Sequence, residues 1–140
     1  MEPLLEVRDL EIAVRTDEGE FVAVDGIHFH VNQKEIVGIV GESGCGKSLT
    51  SLALMRLLGK QTAIKRGTIR LNGRNLHELS DAEYRSIRGQ ELAMVFQEPM
   101  TSLNPVLTIG DQLMEPLRVH WRMSRKDART KAVQLLEQVG

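Results

Sequence analysis

The sequence predicts a mixed α/β domain with an antiparallel β portion at its front, followed by part of a helical subdomain that begins near residue 106. Three observations carry that prediction. Two runs of alternating apolar residues stand at the front, separated by a polar turn. A short, almost wholly apolar run then leads straight into a glycine-rich loop and a helical pattern. Near the end, the apolar period changes from two residues to that of a helix.

In chain order, residues 4–14 (LLEVRDLEIAV) alternate as a strand does, and residues 16–20 (TDEGE) form a polar turn containing Gly19. Residues 21–31 give a second strand, bent at Asp25 and Gly26, and residues 32–34 connect onward. Residues 36–40 (IVGIV) have the composition of a strand buried on both faces of a sheet. A helix is expected from about Lys47 to Leu58, with Leu49, Leu52, Ala53 and the stretch from Met55 to Leu58 on its apolar side. Residues 67–71 (GTIRL) form another strand, closed by the turn Asn72-Gly73. Ser80 with Glu83 makes a capping box that opens a short helix. Residues 92–96 (LAMVF) predict a second buried strand, and residues 97–105 a loop. The helical pattern starts at about Ile109, and Ser124 with Asp127 marks the start of a final amphipathic helix.

Bulk properties narrow the function. The 140 residues suffice for one domain with a core, and 41% hydrophobic with 26% charged residues is ordinary for a globular protein. A formal net charge of −1 gives no global field for nucleic acid or an anionic membrane. The apolar stretches are shorter than a spanning helix requires, and the acidic start lacks the layout of a signal peptide. The single cysteine, Cys45, cannot form an internal disulfide. Any role at a membrane is therefore expected to run through a partner. His28, His30, His77 and His120 are scattered, with no cluster to complete a metal site, so solvated or packing roles are expected of them. Met94, Met100, Met114 and Met123 are expected to fill cores and interfaces.

Residues 41–48 spell GESGCGKS and fit G-x-x-x-x-G-K-[ST], the Walker A phosphate loop. The chemistry requires those residues. A loop wrapped round a phosphate turns its N–H groups inward, which needs the backbone freedom of Gly44 and Gly46. The following helix aims its positive end at the anion. Lys47 adds a full charge near the β- and γ-phosphates, and the Ser48 hydroxyl suits an Mg²⁺ position. Gly41, Glu42, Ser43, Gly44, Cys45, Gly46, Lys47, Ser48 and Leu49 are thus the candidate ATP-binding residues. A helix N-terminus and a neighbouring lysine can activate the Cys45 thiol, although a small loop-filling residue is the plainer reading.

Residues 39–48 (IVGESGCGKS) resemble the Walker A region of ABC ATPases. Residues 94–113 (MVFQEPMTSLNPVLTIGDQL) resemble the Q-loop of that family, and EPMTSLNP its oligopeptide, dipeptide, glutathione and nickel importer branch. The resemblance covers the whole chain. It implies a P-loop NTPase fold of the ABC type, with residues 1–105 as the ATPase core and 106–140 as the start of the helical subdomain. It implies that Gln97 approaches Mg²⁺ and the attacking water and couples the nucleotide to a transmembrane partner, and that Ser43 faces the γ-phosphate. It also implies ATP hydrolysis in a homo- or heterodimer of ATPase domains, peripheral at the cytoplasmic face of the inner membrane. Partners would be transmembrane permease subunits and, indirectly, a solute-binding protein, with no nucleic acid.

The sequence departs from the family pattern in places. Glu18 stands where an aromatic residue usually stacks on adenine. Phe21, three residues on, is the candidate for that contact, though its apolar setting favours core packing. Leu49 stands where the family often has threonine, with Thr50 next. The LSGGQ-like signature, the strand ending in Asp-Glu and the switch histidine are not found, so the 140 residues look like a fragment and are expected to hydrolyse little ATP alone. Two alternatives stay open: a nucleotide-binding fragment without enzymatic function, and an unrelated P-loop NTPase using Glu98 as base. Pro99 and the SLNP run favour the Q-loop reading over the second. No long heptad run suggests the coiled-coil ATPases of DNA repair.

Overall fold

A computed structural model describes residues 2–98 and 102–140. Pro99 and Met100, part of the Q-loop-like motif, lie outside the described residues. Two compact units divide the chain, Met1–Tyr84 and Arg85–Gly140.

The first unit is built on a four-stranded antiparallel sheet of order β2-β1-β3-β4. β1 (Leu5–Thr16) and β2 (Gly19–Val31) form a hairpin whose turn is Asp17 and Glu18. β1 also pairs with β3 (Thr62–Leu71), which joins the two-residue β4 (Arg74–Asn75) through Asn72 and Gly73. Both turn residues have positive φ, 50° and 75°, as the asparagine-glycine pair predicts for a type I′ turn.

The apolar pattern of β1 changes parity partway along. Leu5 and Val7 are buried, and so are Leu10 and Ile12. A regular strand would send these two sets to opposite faces. Asp9, at φ 50°, takes up the extra residue in a bulge against both neighbours: Val7 pairs with Phe29 but Leu10 with Ile27. Leu10, Ile12, Ile69 and Val7 are the largest wholly buried side chains, each contributing about 1.5–3 kcal/mol. Gly67, at φ 104°, faces the bulge. A Cβ there would lie 2.5 Å from Asp9 O and 2.6 Å from Leu10 Cα, so only glycine permits the approach.

α1 (Lys47–Leu54) is shorter than the expected helix to Leu58. It ends at Met55, and Arg56 turns left-handed at φ 53°. Arg56 then donates to Leu79 O at 3.0 Å, pairs with Asp81 at 3.3 Å, and lies 4.9 Å from the Tyr84 ring centroid. Tyr84 is buried and donates its hydroxyl to Leu54 O at 2.5 Å. Tertiary bonding thus takes up the last turn that local pattern assigned to the helix. A 3-10 turn, Leu76–Glu78, leads to α2 (Asp81–Ile87). The capping box that opens α2 is present: Ser80 N donates to Glu83 Oε2 at 2.8 Å and Glu83 N to Ser80 Oγ at 3.3 Å.

In the second unit, α3 (Ile109–Trp121) and α4 (Arg125–Val139) pack through Met114, Leu117, Ala128 and Ala132, with Leu113 and Met123 against them. Thr108 caps α3 through Asp111 N, and Ser124 caps α4 through Asp127 N, both at 3.1 Å. Met114 and Met123 thus fill a core as expected. Trp121 is half-exposed, with its ring edge-on to His120.

Two expectations are corrected. Residues 36–40 are not a buried strand: they carry no strand assignment, and Ile36 and Val40 are 98% and 92% exposed. Residues 92–96 likewise form no strand beyond a single parallel bridge between Arg88 and Leu92, and Val95 is 97% exposed. The physical reason is common to both. A fully buried strand exists only where neighbours supply hydrogen bonds on its edges and cover on its faces. Among the described residues neither run has such neighbours.

Candidate phosphate-binding site

The site is the loop 41–46 and the start of α1. Gly46 is the N-cap of α1, left-handed at φ 89°, and gives the helix no side-chain cap. No acidic residue occupies the first turn. The leading amides of the helix, which have no intrahelical acceptor, are therefore not claimed by a capping oxygen of the chain. The loop residues before them, Gly41, Glu42, Ser43, Gly44 and Cys45, are all exposed.

Lys47 closes the loop on itself. Its Nζ donates to Gly41 O and to Glu42 O, each at 2.6 Å, and to Cys45 Sγ at 3.2 Å. The ammonium is thereby held inside the ring of residues 41–47. The same contact acts on the thiol: the Lys47 hydrogen bond, above all, moves the Cys45 pKa below its ordinary value. A side chain on Gly41 would collide with Cys45 Sγ.

The sheet supports the loop at a point that the sequence did not signal. β2 carries an extra residue between Val24, which pairs with Ile12, and Val22, which pairs with Ala13. That bulge is Ala23, and it meets the loop: a Cβ on Gly46 would lie 2.8 Å from Ala23 O and 2.7 Å from Val24 Cγ2. Gly46 is therefore needed twice, for its φ and for this approach.

Ser48 is exposed at the first turn of α1, and Leu49 is half-buried. Thr50 does not replace the usual threonine side chain at the preceding position. It is 3% exposed and donates its hydroxyl to Gly46 O at 3.0 Å, inside the helix. Phe21 is not packed in the core: it is 53% exposed on β2, opposite Val14. Its ring sits on the strand that carries the Ala23 bulge, and Glu18 is at the exposed hairpin turn. Gln97 and Glu98 are exposed in the second unit.

His28 is exposed, and its Nδ1 accepts the Asp9 N–H of the bulge at 3.1 Å. Among the described residues no three His, Cys, Asp or Glu side chains gather as a metal site. No helix among them is long and apolar enough to cross a membrane. A cavity of about 150 Å³ lies at the other end of α1, lined by Ala53, Arg56, Ile69, Leu76, His77 and Tyr84, and is distinct from the phosphate loop.

Known proteins bear on this arrangement. A family model described as "ABC transporter" matches residues 24–140. A probable peptide ABC transporter ATP-binding protein, y4tR of Sinorhizobium fredii, is 50% identical over 137 residues, which are 97% of this chain and 41% of that protein. The oligopeptide transport ATP-binding protein OppD of Bacillus subtilis is 47% identical over 138 residues, 98% of this chain and 38% of that protein. AppD of the same organism, also an oligopeptide transport ATP-binding protein, is 48% identical over 141 residues, 100% of this chain and 43% of that protein. The chain thus spans about two fifths of the length of these relatives. Among solved structures, the ATP-binding cassette MJ0796, in a dimeric post-hydrolysis state bound to ADP and Pi, superposes with a TM-score of 0.78 at 24% identity, covering 95% of this chain and 56% of that one. This likeness establishes the ABC-cassette fold.

Proposed function

The chain belongs to the ABC transporter family, and we propose that it is the nucleotide-gripping part of an ATPase subunit that energises import of peptides or related small solutes. The observation that carries this reading is the uncapped start of α1 with the Lys47 ammonium held in the loop before it. Importer function is supported by 47–50% identity to peptide-transport ATP-binding proteins across nearly the whole chain.

In this reading the amides of residues 43–48 take the phosphate oxygens of ATP, and the α1 dipole favours their charge. Lys47 exchanges its bonds to two neutral carbonyls for bonds to phosphate oxygens, which are stronger because both partners are charged. Ser43 faces the γ-phosphate, and Phe21, exposed on β2, offers a ring face to adenine. The exposed Ser48 hydroxyl would hold an Mg²⁺ ion as one hard oxygen ligand. When bound, the ion neutralises charge on the transferring phosphoryl group. Gln97, exposed in the second unit, would orient the attacking water and link the nucleotide to the permease.

The working partition is an ATPase core to residue 105 and a helical subdomain from 106. Partners are transmembrane permease subunits, a second ATPase domain and, through the permease, a solute-binding protein. The location is the cytoplasmic face of the inner membrane. The test is ATP-driven uptake by the intact transporter with the Lys47→Ala substitution. Loss of both uptake and ATP turnover is expected, and uptake at the wild-type rate would overturn the reading.

A further inference from the structure

Residues 102–108, which lead from the Gln97 segment into α3, are all exposed, with Val106 at 84%. A segment with no core burial holds its shape only through polar contacts. Asn104, Pro105, Val106 and Leu107 form a turn in which Leu107 N donates to Asn104 O at 3.3 Å, and Asn104 Oδ1 accepts from Val106 N at 3.0 Å. One side chain outside the turn binds both its ends. Gln112 Oε1 accepts from Asn104 N at 2.8 Å, while Nε2 donates to Asn104 O at 3.0 Å, to Leu107 O at 3.1 Å and, more weakly, to Thr108 O at 3.4 Å. The contact set fixes the amide's orientation, because a flipped carboxamide would set donor against donor at Asn104 N and acceptor against acceptor at the carbonyls. Gln112 lies in the first turn of α3, whose cap, Thr108, is the last residue it binds.

We infer that Gln112 is the positioning residue of this loop: its carboxamide clamps residues 104–108 to the first turn of α3, so that loop and helix move as one piece. Asn104, Pro105, Leu107 and Gln112 also line a groove of about 770 Å³, together with Leu113 and Pro116. The clamp therefore also sets the shape of one groove wall. The inference rests on the proposed importer function, in which this segment relays nucleotide state to the permease. A carboxamide is needed because one planar group must accept from an N–H and donate to carbonyls at once. Glutamate keeps only the acceptor, and methionine keeps neither.

The test compares Gln112→Met and Gln112→Glu in the intact transporter. Hydrogen exchange at Asn104 N–H should accelerate in the methionine variant and stay slow in the glutamate variant, which still accepts that bond. Substrate uptake per ATP hydrolysed should fall about tenfold in the methionine variant, a size typical of coupling between sites. MgATP turnover should stay within about twofold of wild type in both. Unchanged Asn104 exchange in the methionine variant, or full uptake per ATP despite accelerated exchange, overturns the inference. If the methionine variant does not fold, the glutamate variant decides, since wild-type coupling there means that the three carbonyl contacts are dispensable. Failure of the importer reading looks different: the wild-type protein itself would show no Lys47-dependent turnover.

Discussion

At the scale of single residues, Lys47, Cys45 and Gly46 shape the phosphate loop. Lys47 is expected to contribute most to nucleotide affinity, and Lys47→Ala should weaken MgATP binding about tenfold to a hundredfold by titration calorimetry, the range for hydrogen bonds to a charged group. Cys45 reports on the same ammonium. Its pKa is lowered chiefly by the Lys47 hydrogen bond, so alkylation should become half-maximal at a pH below that of an ordinary thiol. Lys47→Ala should move that profile back up, and bound MgATP should slow the reaction. A profile indifferent to Lys47 would contradict the contact. Gly46→Ala should cost on the order of 2 kcal/mol or more in denaturant unfolding, because the left-handed backbone and the approach to Ala23 O both exclude a Cβ. The motif glycines and Lys47 were legible in the sequence because each answers to a fixed chemical need. The Ala23 bulge was not, since no residue type announces an extra position in a strand. The apolar neighbours of Phe21, the candidate adenine contact, favour core packing, but pattern alone does not say which face of a hairpin finds cover, and the ring is half-exposed.

At the scale of elements, sequence and structure agree best where a boundary is made by local bonds. The Asn72-Gly73 turn and the caps at Ser80 and Ser124 involve residues no more than three apart, so their partners are visible in the chain itself. Ser80→Ala should lower stability by about 1 kcal/mol, as removal of a hydroxyl cap does. The Glu83 pKa is depressed by its hydrogen bonds to Ser80, so its contribution is present above the unfolded-state value and disappears as pH falls through the lower folded value. The unfolding curves of wild type and Ser80→Ala should therefore stand apart near pH 7 and draw together under acid conditions. Elements whose ends depend on distant partners were misjudged. α1 stops early because Arg56 and Leu54 are engaged by residues about 25 to 30 positions away. The Gln112 clamp was equally invisible, as a glutamine on a helix gives no hint of four loop contacts.

At the scale of the whole molecule, the mixed α/β class was legible in the alternating runs and the glycine loop leading into a helix, while the ABC type rested on the resemblance of residues 39–48 and 94–113 to that family. The two all-apolar runs were not placed correctly, because composition states what a segment would do among neighbours and not whether the neighbours are there. With Ile36, Val40 and Val95 almost fully exposed, the 140-residue chain should bind an apolar dye such as ANS and self-associate at micromolar concentration. A monomer that binds no dye would contradict the exposure described for these runs. The central claim is that residues 41–48 grip a triphosphate through backbone amides and one lysine. Its most direct test is the melting temperature of the intact protein with and without MgATP at about a hundredfold over its Kd, where one-site binding adds about 2.7 kcal/mol to stability. The account predicts a rise of several degrees that is abolished in Lys47→Ala. No rise, or the same rise without the lysine, would contradict it.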